Sequence, residues 1–93
     1  VGPDNDTSSW SHAEIEAASH LLFREGRAGG LRPGSFSTAL IEALAAADAR
    51  NRARLLTAFP EFARPLQVMQ TRGGTVLSEM IQERRMMAGE DQA

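Results

Sequence analysis

Residues 35–62, SFSTALIEALAAADARNRARLLTAFPEF, hold the densest apolar pattern in this 93-residue chain and are expected to form the centre of its fold. Phe36, Leu40, Ala43, Leu44 and Ala47 recur at helical spacing, and a second set follows with Ala49, Ala53, Leu56 and Phe59, Leu55 lying beside it. Between the sets stands Asp48, whose carboxylate suits an N-cap because it can accept an orphan amide of a new first turn. The stretch therefore reads as a helical hairpin broken at Asp48. One unbroken helix from Phe36 to Ala58 is the alternative, since Ala, Arg and Leu all favour helix. Pro60 closes the hairpin, because proline disfavours helical geometry in the residue before it, and it also suits the first position of a next helix. The expected core seam is Phe36, Leu40, Leu44, Leu56, Phe59 and Phe62, with Arg50, Arg52 and Arg54 largely outside it.

Upstream, Ser11 and Glu14 have the spacing of a capping box, and Trp10 and Ile15 flank it as a hydrophobic staple. The helix they open buries Ile15, Ala18, Leu22 and Leu21 and ends at Gly26. Residues 26–34, GRAGGLRPG, hold four glycines and a proline in nine positions, which excludes regular structure. Leu31 is the expected anchor of that connection, and Gly34 or Ser35 the cap of the next helix. Residues 1–9 read as a disordered tail.

Downstream, Phe62, Leu66 and Met69 continue an apolar face, and Pro65 must either kink this helix or mark its beginning. Gly73-Gly74 is the next break. Thr75 is the expected cap of a last helix carrying Val76, Leu77, Met80, Ile81, Arg84 and Met87 or Ala88, which Gly89 ends before a polar tail, 90–93. No alternating apolar-polar run and no repeat occurs. The expectation is an all-α fold, a compact bundle of four to five short helices in a single domain over 10–89.

Composition narrows the chemistry. Without cysteine there is no disulfide, thiolate ligand or cysteine nucleophile. No apolar run reaches the ~18–20 residues that span a bilayer, and the acidic start, VGPDNDTSS, is unlike a signal peptide, so a cytoplasmic location is expected. The net charge of −2 is unevenly placed: residues 1–23 carry four acids and no arginine, 24–72 carry eight arginines against four acids, and 73–93 two against four. His12, Glu16 and His20 share one helical face, but the two histidines lie ~12 Å apart at 1.5 Å per residue, too far for one metal. Ser35, Ser37 and Thr38 lack a G-x-S-x-G elbow, and Gly29-Gly30 lacks the spacing of a phosphate loop. The expectation is no enzyme, no cofactor and no metal.

A basic middle flanked by acidic ends points instead to a partner. The expected contact residues are Arg50, Arg52, Arg54 and Arg64, with Met80, Arg84 and Met87 of the last helix, because arginine offers planar bidentate contacts and methionine adapts to a partner surface. A protein partner is the first reading, with a homodimer an option. A DNA-binding regulator using the 36–58 hairpin is the alternative, weakened by the acid at Asp48, which repels phosphate.

The run 31–63, LRPGSFSTALIEALAAADARNRARLLTAFPEFA, with PGSF, TALIEAL, an AD followed by Asn, and a leucine pair before FPE, resembles small uncharacterised helical proteins of actinobacterial phages and prophages. The resemblance implies a bacterial setting and a phage accessory role, and it carries no active-site residue with it.

Overall fold

The first helix, α1, starts where local chemistry places its start. Ser11 Oγ accepts from the Glu14 amide at 3.1 Å and Glu14 Oε1 accepts from the Ser11 amide at 2.8 Å, a complete capping box. A computed structural model describes residues 7–92. In order, the elements are α1 (His12–Arg24), α2 (Ser35–Ala46), α3 (Ala49–Ala58), a 3-10 turn (Pro60–Phe62), α4 (Ala63–Arg72) and α5 (Gly74–Gln92). All are helical, as the all-α expectation required, and the Cα radius of gyration of 13.0 Å is that of one folded domain of ~100 residues.

The centre of the molecule is α1 rather than the 35–62 hairpin. Its Ala18 and Leu22 face a cluster with Trp10, Leu77, Met80 and Ile81, against which Ile15, Val68, Met69 and Val76 pack. Its Ala17 and Leu21 face a second cluster with Leu40, Ile41, Leu44 and Phe62, backed by Leu55, Leu56, Phe59 and Leu66. Adjacent apolar pairs widen its stripe until both sides of the helix are covered, so α1 divides the α2–α3 hairpin from the α4–α5 pair.

Asp48 caps α3 as expected, its Oδ1 accepting from the Asn51 amide at 2.8 Å, so the hairpin is two helices. Of the expected seam, Leu40, Leu44 and Phe62 are buried and Leu56 and Phe59 pack against them; Phe36 is the exception. Ile41 is buried, whereas Ala43 and Ala53 are exposed and Phe36 is 66% exposed, its ring centroid 5.7 Å from that of Phe59. Ile41, with more apolar area than Ala43 or Ala53, takes the buried place on this face, whereas Phe36, in the first turn of α2, packs its ring against Phe59. No residue of α3 is fully buried.

Pro65 falls in the first turn of α4, where its missing N–H would have had no helical partner, so it neither kinks the helix nor begins it. Thr75 is not the cap of α5. The helix starts at Gly74, and Thr75 Oγ1 instead accepts from Arg27 Nη1 at 3.1 Å. Gly74 is buried against that same arginine, and a Cβ there would collide with its side chain. Gly89 lies inside α5, which is assigned to Gln92, past the expected end; a helical glycine costs only ~1 kcal/mol. Leu31 is 52% exposed; its backbone amide, donating to Ser19 O at 3.0 Å, holds the loop instead.

Of the expected N-terminal tail, residues 1–6 lie outside the described residues. Thr7–Ser9 do not behave as a tail: Thr7 is buried and its carbonyl accepts from the Trp10 amide at 2.9 Å.

Candidate functional site

A partner surface must be built from side chains that the fold has not already engaged. Arg64, in the first turn of α4, is engaged. Its Nε and Nη2 reach the two Glu14 oxygens at 2.8 and 2.9 Å, Nη1 reaches Ser9 Oγ at 3.0 Å, and its Cζ lies 5.8 Å from the Trp10 ring centroid. The Arg64 guanidinium, aided by the Ser11 amide and opposed by burial, holds the Glu14 carboxyl below its ordinary range. Arg84 is engaged too, half-buried with Nη1 donating to Thr7 O and to Trp10 O. Met80 is buried in the core, packed with Trp10, Leu77 and Ile81, so its side chain is not on the surface. Met87 and Met86, 59% and 66% exposed, remain on the surface.

The hairpin arginines separate by helical angle. Arg50 and Arg54, four residues apart, share the outer side of α3 and are exposed. Arg54 Nη1 touches Asn51 Oδ1 at 3.4 Å, and neither arginine has an ion pair among the described residues. Arg52 turns toward α2, donating from Nη2 to Ala47 O at 3.1 Å, with its buried Nε lacking a partner among the described residues. Beside Arg54 runs a shallow groove of about 560 Å³ lined by Ala43, Ala46, Ala47, Asn51 and Leu55. The sequence signal for it was the surplus of alanine on α2, of which Ala43 and Ala47 enter the sequence reading only through the apolar periodicity of that helix.

A second cleft, about 350 Å³, lies between α1 and α5. His12, Ile15, Glu16 and Ser19 form one wall, Arg84 and Arg85 the other, with Leu31 at the side. Arg85 was missed as a site residue, although its position next to Arg84 off the apolar seam marked it. Its Nη1 donates to Gly29 O at 2.6 Å and its Nη2 to Ser19 Oγ, a hydroxyl that is wholly buried and donates to Ile15 O at 2.8 Å.

A third cleft, about 220 Å³, is lined by Phe23, Pro33, Thr38 and Ile41, with Arg32 over the Phe23 ring at 4.9 Å. The Arg24–Glu42 pair closes its rim at 2.9 and 3.1 Å and pushes the Glu42 carboxyl down and the Arg24 guanidinium up.

Among the described residues no three His, Asp or Glu side chains are placed to hold a metal ion, and no helix is long and apolar enough to cross a membrane. Comparison of the chain with protein-family models, curated proteins and solved structures gave no match.

Proposed function

We propose that the chain is a small helical protein–protein interaction module whose α2–α3 hairpin docks an acidic, amphipathic helical segment of a bacterial protein. The observation that carries this reading is the alanine-floored groove lined by Arg54, with Arg50 one turn before it on α3; both are exposed arginines without a carboxylate among the described residues. Small floor residues let a partner helix approach closely, and arginines at the edge supply charge-assisted hydrogen bonds to its acids. The likeness of residues 31–63 to helical phage and prophage proteins makes an accessory role, binding and modulating a host protein, the fitting context.

The test is a double charge reversal, Arg50→Glu with Arg54→Glu, together with Ala46→Leu to fill the groove floor. All three positions are exposed, so the thermal midpoint should stay within a few degrees of the parent. A partner captured by the parent protein from a bacterial lysate should be lost by the charge-reversed and groove-filled variants alike. Retention by both would refute the docking site. Salt-sensitive binding to duplex DNA at low ionic strength, abolished by the same reversals, would transfer the face to nucleic acid instead.

A further inference from the structure

The α1–α5 cleft differs from the hairpin surface in how its charges are held. Arg84 and Arg85 are consecutive on α5, both half-buried, and both directed at neutral oxygens: Thr7 O and Trp10 O for the first, Gly29 O and Ser19 Oγ for the second. Neither has an ion pair among the described residues, whereas the more exposed Arg24 and Arg64 each hold a bidentate carboxylate. Drawing two adjacent guanidinium groups out of water without a counter-charge is costly. The neutral acceptors fix their orientation and leave charge over. Those contacts engage two of the five N–H groups of Arg85, so its donor fork has capacity for a ligand.

We infer that this cleft binds a small organic oxyanion, a phosphate monoester or a carboxylate, with its charge on Arg84 and Arg85 and its apolar body against Ile15 and Leu31. The cleft, about 350 Å³, is of the size that takes a small ligand, and it pairs an apolar wall with a few oriented polar groups. Exposed Leu31, 52% accessible at its side, gains a role it lacks in the core. Glu16, also on the wall, is the one acid lining the cleft and opposes the anion, which sets a limit on affinity and supplies a directional test. The site shares no residue with the hairpin groove, so it stands or falls separately.

The experiment titrates the full chain with phenyl phosphate, benzoate and inorganic phosphate, followed by amide and arginine side-chain NMR. Saturable shifts are expected at Ile15, Ser19, Leu31 and Arg85, with the phenyl compounds binding more tightly than inorganic phosphate. The stronger of the two phenyl ligands identifies the oxyanion. Glu16→Gln, at an exposed position, should tighten binding about three- to tenfold by removing a like charge. Arg85→Gln should weaken it about tenfold or more. Glu16→Gln remains informative even where Arg85→Gln unfolds. Absence of saturable shifts with all three probes, shifts no larger here than at Arg50 and Arg54, or unchanged affinity in Glu16→Gln would overturn the inference.

Discussion

Arg64 offers the sharpest test of what holds the first helix to the rest of the molecule. Replacing it with Met keeps the packed stem and removes the guanidinium. The loss comprises a bidentate pair to Glu14, two hydrogen bonds to Ser9 and a cation–π contact with Trp10. In a buried setting each charge-assisted bond would contribute about 1.5–3 kcal/mol. The Arg64 side chain is 45% exposed and Glu14 13%, so solvent screening cuts the pair to about 1 kcal/mol. The Ser9 bonds and the ring contact add about 1 kcal/mol together. Arg64→Met should therefore cost about 2 kcal/mol, a fall of roughly 8–16 °C in Tm for a domain of this size. Glu14→Gln preserves the capping box, since glutamine can also accept from the Ser11 amide, and isolates the charge. A double-mutant cycle should give a coupling of about 1 kcal/mol at pH 7. The folded-state pKa of Glu14 is depressed, so its contribution is present above the ordinary value of 4.5 and is lost as pH falls through the folded value. Urea denaturation at pH 7 and again near pH 3 measures this. A coupling below about 0.3 kcal/mol at pH 7, or one that does not shrink on acidification, would refute the reasoning.

Other substitutions probe separate parts of the fold. Leu77→Ala removes a fully buried side chain from the cluster of α1, α4 and α5 and should cost about 2–5 kcal/mol in urea denaturation. Gly30→Ala would bring a Cβ to 2.6 Å from the Phe23 backbone, where nothing flexible can yield, and should cost about 1–3 kcal/mol by thermal melting. Gly34→Ser, at the uncapped start of α2 with open space around it, should raise stability by a few tenths of a kcal/mol; a lower Tm would mean the cap geometry is not available to serine.

Helix starts governed by neighbouring residues were legible in the sequence. Ser11 with Glu14, Asp48, and Pro60 each act through a bond or ring constraint within four residues, and each stands where its chemistry predicts. What was not legible depends on residues far apart in the chain. Thr75 lost its expected cap role because Arg27, 48 residues away, packs on Gly74 and donates to the threonine hydroxyl. Thr7–Ser9 read as tail because their polar residues carry no helix or strand signal, yet Arg84 and Arg64 reach them from 77 and 55 residues away. The double-sided burial of α1 was visible only as a run of small and apolar residues, Ala17-Ala18 and Leu21-Leu22. Its second side could be recognised only once α2 and Phe62 were in place. For the candidate site, the sequence pointed to arginines as expected contact residues but could not separate those engaged by backbone oxygens from those left outward.

That separation determines which variants can report on binding. A guanidinium that holds distant segments together contributes to folding whether or not it touches a ligand, so changing it alters both equilibria at once. Arg64 joins α4 to the N-terminal turn and α1, and Arg84 joins α5 to the same turn. Loss of partner binding on changing either would follow from displacement of Trp10 and the α1 cap as readily as from a lost contact. Arg50 and Arg54 hold no such segments, and reversing them changes the charge beside the groove without removing a tertiary hydrogen bond among the described residues. Reversal also tests sign: an acidic partner should be repelled by glutamate more than it is released by alanine, by a factor that shrinks as salt rises. A binding loss equal for alanine and glutamate, and indifferent to salt, would place the hairpin's contribution in the shape of the groove rather than in its charge.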